Sequence, residues 1–254
     1  MILQNKLRNS IFLLLSSFSL NTAFATPLLH YQMAIVQAAM HQPDVSKTPL
    51  KNLEGPRTRM LAFTTYTGYK KTDTALGATV WVTAEPEVKD LCARYLRENN
   101  NKLTHEALSL WIAQLLGLPE TNADKRQFVV LDVPVIQAYY GSSSNNRGIF
   151  RPCTDPRIEM HPDASPACPA QMDPLDTNIS SEYKTWFINN SISAYVFKTG
   201  APWTEYGYTY NWNPSASNVY GVSEFVILKS TEITVLPNPT DPTTAYMTPE
   251  QYCV

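Results

Sequence analysis

The sequence predicts an α+β fold: a mixed, mainly antiparallel sheet with two or three packed helices and one long disulfide-stapled loop. Three observations lead there. Residues 85–98 and 104–116 repeat apolar side chains at helical spacing between helix start and stop signals. Short runs rich in Val, Ile, Thr, Tyr and Phe suit a pleated, half-buried surface. Six prolines fall in the 23 residues from Pro152 to Pro174, bracketing Cys153 and Cys168, where neither helix nor sheet can run.

The chain opens with Lys6 and Arg8, an apolar stretch from Ile11 to Leu20, and Ala23-Phe24-Ala25. A positive start, a short apolar centre and an A-x-A site make a secretory signal peptide, predicted over 1–25. The apolar stretch is too short for a membrane span, and no later stretch reaches that length. Cleavage leaves 229 residues (254 minus 25) and moves the formal charge from −2 to −4, with 18 basic against 22 acidic residues. The expected product is exported, periplasmic or extracellular, without a transmembrane segment.

Thr26 and Pro27 cap and open a helix whose apolar residues run from Leu28 to Met40 and which ends near His41, before Pro43. Residues 42–58, with Pro43, Pro49 and Pro56, read as a linker, so 26–58 is a helix plus linker and 59–254 a single domain. Residues 59–69 and 76–83 suit two strands joined by a turn. Pro86 opens the helix 85–98, whose face carries Val88, Leu91, Cys92, Tyr95 and Leu96. Thr104 caps the next helix, Leu103 and Leu108 staple it, and Gly117 and Pro119 end it. Residues 128–133 form a buried strand stopped by Pro134. A loop at 141–146 and the proline-rich excursion follow, then a short helix over 181–189 capped by Ser180 and burying Trp186 and Phe187. Strand-like runs come at 193–198, 205–212, 222–229 and 231–236, and the proline- and threonine-rich tail ends at Cys253.

Export turns the four cysteines into candidate staples. Four cysteines allow three pairings, which sequence alone leaves open. The proline-rich segment favours Cys153–Cys168, leaving Cys92 for Cys253, with loop closure contributing about 3 and about 5 kcal/mol respectively. No C-x-x-C is present, so thioredoxin-type redox chemistry and zinc ribbons lack support. A near-neutral charge offers no general attraction to nucleic acid. Neither G-x-G-x-x-G nor a Walker A loop occurs, and nothing in the sequence calls for a cofactor.

Several patterns touch on chemistry. Tyr206, Tyr208, Tyr210 and Trp212 alternate, so a strand would place them on one face, with Trp203 and Tyr220 extending it. Such rings suit sugars or other flat, partly apolar ligands, and equally suit ordinary core packing, which is the commoner use. Gly221-Val222-Ser223-Glu224-Phe225 falls one glycine short of the nucleophile elbow and leads into a strand rather than a helix. His105-Glu106 begins like H-E-x-x-H, but Ser109 stands where the second imidazole belongs, so no metal site is expected there. Asp155, Glu159, His161 and Asp163 lie in the stapled loop, with Asp173, Asp176 and Asn178 beyond it, and a solvated acidic loop outweighs a Ca²⁺ site because no EF-hand or repeat spacing is present.

Val80-Trp81-Val82-Thr83-Ala84 with Cys92, Leu115-Leu116-Gly117-Leu118-Pro119 and Phe150-Arg151-Pro152-Cys153-Thr154-Asp155-Pro156 make one set of segments. Pro202-Trp203 through Trp212, Gly221-Val222-Ser223-Glu224-Phe225 and Tyr252-Cys253 complete it. Through these, residues 76–254 resemble a group of exported proteins of Gram-negative bacteria to which no activity is assigned. The resemblance implies export and paired cysteines, and no chemistry.

The leading expectation is an exported binding protein that uses the aromatic strand and the stapled loop, with a carbohydrate among the ligands such rings suit. The alternatives are a secreted hydrolase assembled from Ser223, Glu224, His161 and Asp155, and a structural envelope-associated protein.

Overall fold

The computed structural model describes residues 26–41, 50–135, 148–153 and 181–254, with side chains from 185 onward in the last span. The expected signal peptide, the loop at 141–146, and Asp155, His161 and Cys168 lie outside the described residues.

Among the described residues, seven strands form one curled antiparallel sheet: β1 (Arg57–Thr64), β2 (Val80–Ala84), β3 (Gln127–Pro134), β4 (Ile149–Phe150), β5 (Tyr208–Tyr210), β6 (Tyr220–Ile227) and β7 (Thr234–Val235). Their order is β4-β6-β2-β1-β3-β7, with β5 also paired to β6. Helices α1 (Pro27–Ala39), α2 (Glu85–Glu98), α3 (His105–Leu115), α4 (Ser181–Ala194) and α5 (Pro249–Tyr252) accompany it. The α+β class is therefore as the sequence predicts.

Alternation along the strands divides the interior in two. One face carries Met60, Ala62, Val82, Val129, Leu131, Phe225 and Ile227, covered by Leu53, Leu76, Ile233 and Ala245 from connecting segments. The other carries Leu61, Phe63, Val130 and Val222, covered by Val88, Cys92 and Leu96 of α2 and Leu108, Ile112 and Leu115 of α3. The α3 helix ends as its sequence requires. Gly117 takes φ +67, its N–H bonds the Gln114 carbonyl and the Leu118 N–H bonds the Ala113 carbonyl, the double closure of a Schellman end.

Several boundaries differ from the sequence reading. The strand predicted to 69 stops at Thr64, whose hydroxyl accepts the Tyr66 N–H (2.9 Å) and turns the chain out of the sheet. The strand expected at 193–198 is instead the end of α4 and a turn. Ser191 and Ser193 bond back to the carbonyls of Phe187 and Asn189, and Ile192, Val196 and Phe197 face solvent. The run at 231–236 pairs over only two residues, since Thr231 exchanges hydrogen bonds with Gly148 instead. The tail contains α5, opened by a capping box in which Thr248 and Gln251 serve each other's backbone.

Cys92 and Cys253 are bonded, Cα–Cα 5.4 Å, fastening the end of the chain to α2 across a separation of 161 residues. Tyr252 reinforces the joint through a hydrogen bond to the Glu85 carbonyl (2.7 Å) and a ring contact with Phe128 (4.2 Å). Cys153 is buried and is not a free thiol. The pairing expected for it falls on Cys168, outside the described residues.

Candidate functional site

Strand register places three unlike side chains in one row. Leu61 on β1 faces Thr83 on β2, and Thr83 faces Glu224 on β6. Directly opposed residues hold their Cβ atoms about 5 Å apart, so the Thr83 hydroxyl and the Glu224 carboxyl are neighbours. The next row runs Trp81, Val226, Phe150. Over these rows lie the last turn of α4 and the segment 199–203, and between the two layers is a pocket of about 430 Å³. That volume lies in the range of small-molecule sites.

Its walls are mainly apolar, made by Leu61, Phe63, Leu116, Leu118 and the rings of Trp81 and Trp203, with Asn190, Ser193, Thr199 and Thr209 adding uncharged polar groups. Trp203 is 6% exposed and packs against Phe187 at 4.8 Å, whereas Trp81, at 38%, stands at the rim and stacks on Trp186 at 5.7 Å. Inside this wall three polar atoms are sealed from water without a hydrogen-bond partner: Thr83 Oγ1, Glu224 Oε2 and the Trp203 indole nitrogen. An unmade hydrogen bond at a buried group costs roughly 1–3 kcal/mol, so three around one cavity need an explanation.

Glu224 is half-buried and lines the cavity, while Oε2 itself is enclosed. Burial pushes its carboxyl up to about 8. The Trp203 N–H pulls the other way but closes no hydrogen bond of ordinary geometry. At neutral pH Glu224 is therefore mostly an uncharged acid. No Lys, Arg or His is among the described residues lining the pocket.

No protein-family model, curated protein or solved structure matches this chain. The functional reading therefore rests on the geometry alone.

Ser223 and Glu224, paired in sequence, point to opposite faces of β6. Ser223 is fully buried; its Oγ accepts the Lys51 N–H (2.6 Å), and its own N–H donates to Glu87 Oε2 (3.1 Å). Burial pushes Glu87 up to about 7, against the opposing effects of Ser223, Lys51 and Arg151. Arg151 is itself fully buried, donating to the carbonyls of Gly207 (3.1 Å) and Lys51 (2.6 Å) above the Phe225 ring (4.6 Å). This polar knot joins the segment around residue 51 to β6 and does not open into the Glu224 pocket.

The alternating aromatics form no open platform. Tyr208, Tyr210 and Trp212 are buried, because α1 lays Tyr31, Ala34, Ile35 and Ala38 over Tyr210 and Trp212. Trp212 donates its indole N–H to the Leu118 carbonyl (2.9 Å). The rings of Tyr206, Tyr208, Tyr210 and Tyr220 stand edge-on around His41 at 5.9–6.0 Å, and His41 Nε2 meets the Tyr208 hydroxyl at 2.6 Å. Tyr206 and Tyr220 are half-buried. Of the six aromatics, Trp203 alone lines the pocket.

His105 serves the fold. Its Nδ1 meets Glu250 (2.9 Å) and its Nε2 the Asp124 carbonyl (2.7 Å), tying α3 to α5. The Asp124 carbonyl and then Glu250 favour its protonated form and raise its pKa. His161 and Asp155, needed for the hydrolase, and Glu159, Asp163, Asp173, Asp176 and Asn178 of the acidic loop lie outside the described residues.

Sequence reasoning passed over Thr83 and grouped Glu224 with Ser223, which faces the other side of β6. One signal was present. Glu224 falls on the face of β6 that carries Val222 and Val226, and a lone carboxyl in an apolar alternation marks either a strand edge or a lined cavity.

Proposed function

We propose that this chain is an exported binding protein that holds a small organic molecule in the pocket between β1, β2, β6 and α4. The observation that carries the reading is the set of three unpartnered polar atoms, Thr83 Oγ1, Glu224 Oε2 and the Trp203 indole nitrogen, around a mainly apolar cavity. Apolar walls supply affinity, and a few polar groups left open fix the orientation of a ligand. Export is supported by the amino-terminal signal pattern and by the Cys92–Cys253 bridge, which suits an oxidising compartment. No helix among the described residues is long and apolar enough to cross a membrane.

Ala201 lies exposed on the pocket wall, so Ala201→Trp fills the cavity with little cost to the fold. A thermal-shift screen of small aromatic and aliphatic compounds bearing one polar head is expected to find stabilising ligands for the natural chain. At a concentration 100 times Kd the gain is about 2.7 kcal/mol. The Ala201→Trp chain is expected to lose the stabilisation and keep its unliganded melting temperature. Hits that stabilise both chains equally would place binding elsewhere.

A further inference from the structure

Resting on that reading, we propose that the occupant is an organic cation, a protonated amine on an apolar body, whose charged end docks against the Glu224 carboxylate between Trp81 and Trp203. The donors around Glu224 fit this arrangement. Thr83, its register partner, can turn its hydroxyl toward the carboxylate, and the Trp203 N–H is close enough to be drawn onto it. With both donors so engaged, the remaining lone pairs of an ionised Glu224 face the cavity and take the ammonium N–H groups. All three unpartnered atoms are thereby satisfied at once.

The walls select the sign of the charge. Indole faces carry negative potential and attract a cation within about 6 Å, whereas they repel an anion. An anionic ligand would enter without any basic group to meet it among the described lining residues. It would also lie against a carboxyl that must stay protonated.

Burial keeps Glu224 uncharged at neutral pH, so amine binding is expected to expel its proton. The groups facing Glu224 do not blur this. Thr83 and Leu61 from the strands, Thr209 from β5 and Asn190 and Ser193 from α4 carry no charge. Tyr195, after α4, feels the Glu224 charge, with Glu205 behind it, but burial raises its phenol far above neutrality. Glu87 sits with Ser223 on the opposite side of β6, and Arg126 lies behind Phe63, donating to its carbonyl.

The test uses one apolar body with three heads: phenethylamine, phenethyl alcohol and hydrocinnamate. Each is titrated calorimetrically into the full exported chain and into its Glu224→Gln and Ala201→Trp variants. The natural chain is expected to bind the amine at least about tenfold tighter than the alcohol and the carboxylate most weakly. Amine affinity should rise by up to about tenfold per pH unit from about pH 6 to about pH 8, with about one proton released per amine bound. Glu224→Gln should abolish the preference for the amine and the pH dependence while still binding the alcohol. If alcohol and amine bind equally, or the carboxylate binds best, the cation assignment is overturned and the pocket reading stands. If none of the three binds, or Ala201→Trp binds all three like the natural chain, the pocket reading falls with it.

Discussion

Replacing Cys92 and Cys253 together by alanine is expected to cost roughly 5 kcal/mol of stability. The bridge closes a loop of 161 residues, and removing so long a closure restores a large conformational freedom to the unfolded chain. The native contacts at the joint survive the change. Tyr252 still reaches the Glu85 carbonyl and the Phe128 ring, and the Thr248–Gln251 box still opens α5. The loss should therefore appear in urea unfolding as a lower midpoint with a largely native starting state. A midpoint unchanged by the double replacement would show that α5 and its packing, rather than the covalent link, hold the end of the chain.

Glu224→Gln is expected to stabilise the unliganded protein by on the order of 3 kcal/mol at pH 7. Folding raises the Glu224 carboxyl from 4.5 to about 8, so the folded protein keeps a proton that the unfolded chain gives up. Stability contributed by this group is then highest below about pH 4.5 and falls as pH rises toward 8. Glu87, raised to about 7, adds the same trend over a lower window. Each carboxyl contributes a slope of roughly 1.4 kcal/mol per pH unit between its unfolded and folded values. Denaturant unfolding from about pH 5 to about pH 8 should show the natural chain losing stability as pH rises. Glu224→Gln should remove about half of that slope where both groups contribute. Such a gain from deleting an acid is the mark of a residue kept at a cost to the fold, as binding groups commonly are.

Local signals account for much of this architecture. The α3 helix follows from Thr104, which accepts the Ala107 N–H, and from Gly117 at its close. The strand pair β1–β3 follows from apolar runs whose composition admits little else. The Cys92–Cys253 bridge follows from setting aside the proline-rich segment. Where the reading failed, a non-local partner or a second period decided. The run at 193–198 has strand-like residues, but serine hydroxyls bonding back one turn continue the helix through its first part. The Thr248-Pro249-Glu250-Gln251 sequence is a capping signal in plain view within a tail that reads as irregular.

The site was less legible than the fold. Tyr208, Tyr210 and Trp212 alternate as a ligand face would, and the docking of α1 turns Tyr210 and Trp212 into core. The pocket joins residues 61, 83, 203 and 224, which no window of sequence brings together. What unites them is strand register, and one slipped residue would have turned Glu224 to the opposite face. Ser223 and Glu224 illustrate the point: adjacent in sequence, they belong to separate polar groups with different neighbours.

The most direct test is a carbon-detected NMR titration of the glutamate carboxyls in the unliganded chain, with the Glu224 signal assigned by its absence in Glu224→Gln. The account predicts a midpoint near 8 for that signal. A midpoint near the ordinary value of 4.5 would mean that Glu224 is solvated or already paired, and would contradict a buried, unpartnered acid on the pocket wall.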